Sequence, residues 1–313
     1  MTAIDWRTWI VRGTAVAGVL VVGWASLTRW GAIVHGHPLY GVLLALTLLG
    51  SAVAGWRTFL PRRRRTGWRR VAAVVLLVAS LGWIALMAWL RPFAAVEPAL
   101  AALRSDAGVT VFESPTRITL TPTGPTSDTG VLFQPGARVD PRAYAAVLRP
   151  LAESGHVVVI VKQPLGIAFL ATGALDAVRP GHETLTRWVA GGHSLGGTVA
   201  AMQADAADDD PTAPVVGLLL FASYPTGDIS TSLRASVLSI SGGRDGLATP
   251  DDIAASTANL PANATFMVID GAVHAFFGDY GTQPGDGTPT IGHDEARAEI
   301  SRAAVDFVDR LSD

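Results

Sequence analysis

Hydrophobic positions follow two regimes along this chain. In the N-terminal part they form three long runs that show no polar face. Val71 to Leu90 ("VAAVVLLVASLGWIALMAWL") holds 20 uncharged residues, which matches the roughly 20 that a helix needs to cross a bilayer. Pro38 to Trp56 is nearly as long. Gly13 to Thr28 has 16 residues and reaches spanning length only if it extends through Arg12, with that side chain reaching to the headgroups. A buried soluble helical domain would need polar faces somewhere. Trp9, Trp30, Trp56, Trp68 and Trp89 stand at or near the ends of the runs, where amphipathic rings settle at a membrane interface. The pattern predicts a transmembrane region over 1–92 with about three spans, at about 10–29, 38–56 and 71–90.

Beyond a helix-like connector at 93–107 the pattern shortens into strands. "VTVFES" and "TRITLTP" are rich in β-branched residues and bounded by Ser, Pro and Gly, as a strand pair at the edge of a sheet would be. "GVLFQPG" is a third strand. Helical and strand patterns then alternate: the helix "DPRAYAAVLRPLAESG" is followed by the strands "HVVVIVKQP", "TRWVAGG", "PVVGLLLFASYP", "SVLSISGGRDG" and "ATFMVIDGAVH", with helices or turns between them. Apolar strands alternating with helices imply a parallel sheet covered on both faces. The expectation is an α/β domain over 108–313, with eight strands antiparallel only near the start and a last helix in "DEARAEISRAAVDFVDRLSD".

Charge separates the same two parts. Met1 to Pro92 carries 11 arginines and one acid, a balance of +10; from Phe93 onward 13 basic residues face 25 acidic ones, a balance of −12. Seven of the arginines lie in the loop "RTFLPRRRRTGWRR" between the second and third runs. The positive-inside rule places that loop in the cytoplasm, so the third helix leads outward and the acidic domain lies on the extracytoplasmic side of the plasma membrane. Arginine blocks also bind nucleic acid, but one flanked this closely by apolar runs reads as a topology signal, and no nucleic-acid partner is expected. A cleaved signal peptide is disfavoured because no small-x-small site follows the first run. No cysteine occurs, so disulfides, thiolate nucleophiles and cysteine-based metal sites are excluded. The adjacent Asp208, Asp209 and Asp210 read as a solvated loop, and neither metal nor cofactor is expected. Lys162 is the only lysine, an excess of arginine that suggests a GC-rich bacterial genome.

The chemistry gathers around "GGHSLGG", Gly191 to Gly197. Gly192-His193-Ser194-Leu195-Gly196 fits G-x-S-x-G between a strand and a helix, a turn that holds a serine at strained angles with its hydroxyl exposed at the top of a sheet. Gly192 and Gly196 make room where strand and helix pass, and Gly191 and Gly197 relax the packing beside them. A neutral hydroxyl needs a base, and the base needs an orienting acid. The order serine, acid, histidine picks out Asp245 after the strand "SVLSIS" and His274 after the last strand. Asp270 and Asp279 are closer to His274 in sequence, but the same strand-end turn limits their reach. His193 adjoins the serine and should point away from its hydroxyl. His156 sits at the wrong end of the sheet, His35 and His37 lie in the membrane part, His182 precedes the serine, and His293 starts the last helix. Oxyanion donors are expected from the backbone N–H of Leu195 and of Ala137, with Gly136 the second choice for the latter.

With "PGARVDPRAY", "VKQPL", "GHSLGG", "ASYP", "SGGRDG" and "HAFFGDYGTQPGD", the stretch 108–313 resembles the α/β-hydrolase superfamily, and more narrowly a lidless branch related to dienelactone hydrolases. The resemblance implies hydrolysis at a carbonyl without a cofactor. It departs from that branch where serine replaces the cysteine nucleophile, and where Val273 stands at a position usually held by asparagine. The expected function is a membrane-anchored serine hydrolase, a carboxylesterase of small-molecule esters held to the bilayer by its N-terminal helices. An acyltransferase that uses the same acyl-enzyme, and a catalytically silent binding module on a membrane anchor, are the alternatives.

Overall fold

The computed structural model describes residues 6–60 and 67–312. The arginine block Arg62 to Arg65 lies outside the described residues. The chain forms two compact units, Met1–Pro92 and Phe93–Asp313.

Among the described residues the first unit holds three α-helices, α1 (Trp6–Val34), α2 (Pro38–Trp56) and α3 (Trp68–Trp89). In α1 the backbone leaves helical angles at Arg29 (φ −139°, ψ 25°). Just before that point the Thr28 hydroxyl donates back to the Trp24 carbonyl at 2.6 Å, a bond of the kind that bends helices. Pro38 opens α2, where its missing N–H costs nothing, and His37 accepts the Leu39 N–H. Two polar bonds tie α3 to α2: Tyr40 Oη donates to the Met87 carbonyl at 2.9 Å, and Trp83 Nε1 to Thr47 Oγ1 at 2.8 Å. Arg12 does not extend away from the helices. Its Nε donates to Thr58 Oγ1 at 2.9 Å and its guanidinium lies 4.5 Å from the Phe59 ring centroid. Thr8–Val34, Pro38–Phe59 and Val71–Trp89 are long and apolar enough to cross a membrane. On α3, Val71, Val74, Val75, Leu76 and Val78 are each at least 60% exposed within the chain.

The second unit is an eight-stranded sheet of β1 (Val109–Glu113), β2 (Arg117–Pro122), β3 (Thr129–Gln134), β4 (Val158–Val161), β5 (Arg187–His193), β6 (Val215–Phe221), β7 (Ser236–Gly242) and β8 (Thr265–Ile269), in spatial order β1-β2-β4-β3-β5-β6-β7-β8. Only the β1–β2 and β2–β4 pairings are antiparallel. Successive residues of the central strands feed opposite faces, as the period of two requires. Val131 and Phe133 enter one core with α5 (Ala145–Glu153) and the last helix α9 (His293–Asp309), while Leu132 enters the other with α6 (Ala174–Val178) and α7 (Leu195–Ala207). A further helix, α8 (Pro250–Ser256), follows β7 and starts with a capping box between Thr249 and Asp252.

The segment 93–107 differs from its expected helical character. It is helical only over α4 (Ala99–Ala102), since Pro98 cannot continue a helix begun before it. Its first residues bind the domain instead: Phe93 bridges to Val139, and the Asp140 carboxylate accepts the Ala95 N–H. Between β6 and β7, residues 222–235 turn back on the sheet and bury Ile229 and Leu233. At the end of β4, Lys162 is 3% exposed and its ammonium meets Glu113 Oε1 at 2.6 Å.

Candidate active site

Ser194 occupies the sharp turn from β5 into α7 with φ 52° and ψ −126°. A positive φ at a residue with a side chain costs on the order of 1–3 kcal/mol, and such strain persists only where the surroundings impose it. Here the Ser194 N–H donates to the Phe221 carbonyl at 3.0 Å and its carbonyl accepts from Ser223 Oγ at 2.6 Å. The flanking glycines are steric necessities. A Cβ on Gly192 would strike the backbone of Gly196 and Gly197, and one on Gly196 would strike the carbonyls of Gln134 and Pro135. The second contact places the start of α7 against the loop that follows β3.

The ends of β7 and β8 deliver the other two groups. Asp245 and His274 are 29 residues apart in sequence, yet His274 Nδ1 lies 2.8 Å from Asp245 Oδ2. Both are buried, at 4% and 1% exposure. The other carboxylate oxygen of Asp245 accepts the N–H groups of Leu247 and Ala248, each at 2.8 Å, so the carboxylate is fixed at both ends. The rival acids are placed elsewhere. Asp279 accepts from Arg297 of α9 at 2.6 Å, and Asp270 is exposed. Among the described residues, no hydrogen bond joins Ser194 Oγ to His274.

The two sides of the expected oxyanion pocket can also be located. The N–H groups of Leu195 and Ala137 are donated to no acceptor among the described residues. The Gly136 N–H, the second choice, is engaged: it donates to Tyr144 Oη at 2.8 Å. That leaves Ala137 as the loop residue with a backbone donor to offer.

Three contributions were not read from the sequence. Tyr144 Oη, having accepted from Gly136, lies 2.8 Å from His193 Nδ1 and shares a hydrogen bond with it, so one hydroxyl links the loop after β3 to the residue before Ser194. The His193 ring is not a bystander, because its centroid lies 4.5 Å from that of His274 and it stacks on Phe277. Burial, and then the neighbouring His274, hold His193 well below the usual histidine range, which keeps it neutral; burial pushes the Tyr144 phenol up. Second, Gln163 Nε2 donates to Gln134 Oε1 at 2.9 Å and to the Pro135 carbonyl at 3.0 Å, supporting that loop from behind. Third, Asp286 gathers backbone donors from both the Asp245 and the His274 turns. No titratable pattern pointed to these residues. The nearest cue was the pair of glycines around Asp286 in "PGDG".

No group of three or more histidines or acids among the described residues is arranged to hold a metal ion. The arrangement of a strained serine, a buried histidine–carboxylate pair and two free backbone donors matches what acyl transfer demands.

The model of an α/β-hydrolase family matches residues 130–298. The match covers more than half of the chain and contains the serine turn, Asp245 and His274; the chain belongs to the α/β-hydrolase family. No curated protein matches it. Among solved structures, an esterase of Pyrobaculum calidifontis aligns at 17% identity over 69% of this chain and 89% of its own, with a TM-score of 0.50. Carboxyl esterase 2 of the mycorrhizal fungus Tuber melanosporum aligns at 13% identity over 70% and 91%, also with a TM-score of 0.50. A dienelactone hydrolase from Anabaena variabilis aligns at 17% identity over 64% and 98%, with a TM-score of 0.46. At these identities the likeness is one of fold.

Proposed function

We propose that the protein is a membrane-anchored serine hydrolase, a carboxylesterase that cleaves small carboxylic esters. Ser194 Oγ attacks the acyl carbon while His274 takes its proton, and the alkoxide of the tetrahedral intermediate accepts from the N–H groups of Leu195 and Ala137. His274 then protonates the leaving alcohol, and water attacks the acyl-enzyme by the same route in reverse. Asp245 holds the His274 ring with Nδ1–H inward and balances the imidazolium that forms. The observation that carries this reading is the 2.8 Å contact between His274 Nδ1 and Asp245 Oδ2, which joins the two strand ends beside the Ser194 turn. The esterases among structures of this fold support the ester class. The domain division is 1–92 as membrane region, 93–107 as connector and 108–313 as catalytic domain, the last on the extracytoplasmic side of the plasma membrane. The exposed apolar sides of α1 to α3 and the arginine-rich loop support that placement.

A fluorophosphonate probe tests the reading. The full chain in detergent is expected to label, and Ser194→Ala to lose labelling completely. Asp245→Asn should label several orders of magnitude more slowly, since loss of the orienting acid in a related triad lowers turnover by about 10⁴. Asp279→Asn should label at close to the wild-type rate if it folds. A wild-type chain that ignores the probe would leave the binding-module alternative standing. Slow labelling by Asp279→Asn, with Asp245→Asn unaffected, would move the acid.

A further inference from the structure

Two catalytic turns from different strands must hold their separation to within roughly half an ångström, and the side-chain contact between them is that of Asp245 with His274. Val273, which precedes the histidine, is apolar and buried. Backbone bonds join the approaches to the two turns, from Gly243 N to the Ile269 carbonyl at 3.0 Å and from Arg244 N to the Ala272 carbonyl at 2.9 Å; at the catalytic residues themselves the backbone donors of both turns converge on one carboxylate that comes from a third segment. Asp286 Oδ1 accepts the N–H of Gly246 at 3.2 Å, of His274 at 3.1 Å and of Gly287 at 2.7 Å, and Oδ2 accepts the N–H of Ala275 at 2.8 Å. Gly246 directly follows Asp245, and His274 and Ala275 are the base and its successor.

The segment that presents Asp286 is shaped for this contact. Gly285 has φ +88°, in the region that favours glycine. A Cβ on Gly246 would lie 2.7 Å from the Gly285 carbonyl oxygen, and one on Gly287 would strike the Arg244 carbonyl. The strap 285–287 therefore lies flat on the 244–246 turn with no room for a side chain between them. Farther along it is pinned again, where Thr290 N donates to the Gly271 carbonyl at 3.0 Å.

We propose that Asp286 is a positioning residue for the reaction, a carboxylate clasp that locks the acid turn to the base turn and so sets the Asp245–His274 contact. The inference rests on the triad assigned above. Asp286 touches neither substrate nor the imidazole ring. It acts through the backbone of His274 and of Gly246, and it adds a second negative charge beside the turn on which the imidazolium forms. Charge-assisted hydrogen bonds of this kind are among the stronger ones in proteins. When the clasp is loosened, Asp245 no longer holds the imidazolium at its best distance. Two effects follow together: the proton-transfer step slows, and His274 holds its proton less tightly.

The test is steady-state hydrolysis of a short-chain p-nitrophenyl ester by the full chain in detergent, followed across pH for wild type and Asp286→Asn. The asparagine keeps the shape but turns an amide N–H₂ or a neutral oxygen toward donors that now face a carboxylate. The expected result is a fall in kcat of about ten- to a hundredfold with KM nearly unchanged. The acid limb of kcat/KM should also move to lower pH, because the free-enzyme base that must be neutral has become a weaker base. A purely structural role would reduce the amount of active enzyme and leave the limb in place, so unchanged limb position or unchanged kcat overturns the proposal. If Asp286→Asn does not fold, Gly246→Ala displaces the strap from the other side and is judged by the same two readouts. If neither variant folds, the strap is a structural element and the clasp is refuted. Failure of the underlying reading looks different: the wild type then turns over no ester, or Ser194→Ala turns it over equally well, and the clasp falls with it.

Discussion

At the scale of single residues, the most informative side chain outside the proposed triad is His193. It is fully buried, shares a hydrogen bond with Tyr144 and packs its ring on His274, and burial keeps it neutral in the folded chain. The unfolded chain takes up a proton at this residue near pH 6.5, about the unperturbed histidine value, whereas the folded chain resists until well below that. A depressed folded value means that the stability is fully present above about pH 6.5 and is lost as pH falls toward the folded value, at up to about 1.4 kcal/mol per pH unit. Asn can accept from Tyr144 yet cannot titrate. The free energy of unfolding in urea, measured from about pH 7.5 down to about pH 5, should therefore fall less steeply in His193→Asn than in wild type by up to one proton's worth. Parallel curves would show that His193 does not carry this acid sensitivity. The sequence placed Ser194, Asp245 and His274 because the order of the three and their positions after apolar strands are visible in one dimension. The roles of His193, Tyr144 and Asp286, though all three stand in the motifs that carry the resemblance, were not legible for a physical reason. Each acts through backbone or through a buried partner 8 to 49 residues away, and no spacing rule ties such pairs together.

At the scale of elements, the apolar runs foretold three helices by their length, and the alternation of apolar strands with helical segments foretold the sheet. The segment 93–107 escaped because its residues bond to Val139, Asp140 and Asp279 by backbone contacts that leave no periodic trace. Arg12 escaped in the same way: its partner Thr58 comes from beyond the second helix. The proposed direction in which the helices are threaded rests on charge alone. Five arginines between α2 and α3, with Arg69 and Arg70 opening α3, resist transfer across the bilayer, and the proposed topology keeps them on the cytoplasmic side with α3 leading outward. A reporter that is active only outside the cytoplasm, fused after residue 313, is expected to be active. Activity confined to a cytoplasmic reporter would reverse the topology and with it the compartment of the substrate.

At the scale of the whole molecule, the absence of a long insertion over the C-terminal ends of the strands decides what can bind. Residues 222–235 are spent on closing the sheet, with Ile229 and Leu233 in the core, and the Tyr224 carbonyl accepts from Thr198 of α7 at 2.9 Å. Among the described residues of the second unit they form no separate cap to enclose a long acyl chain. Short-chain esters should therefore be cleaved faster than long-chain lipids, and the rate should rise smoothly with substrate through the micelle threshold. A preference for long chains, or a jump in rate at that threshold, would require a cover that the fold does not supply.

The pairing at the end of β4 has a practical consequence for the surface. Lys162 is the only lysine in the chain, and it is shut in by Glu113 at 2.6 Å with 3% of its surface open. The domain's positive charge is otherwise borne by guanidinium groups, which do not acylate under mild conditions. Amine-directed chemistry, whether a cross-linker, a fluorophore ester or a coupling resin, thus finds no reactive handle on the sheet domain.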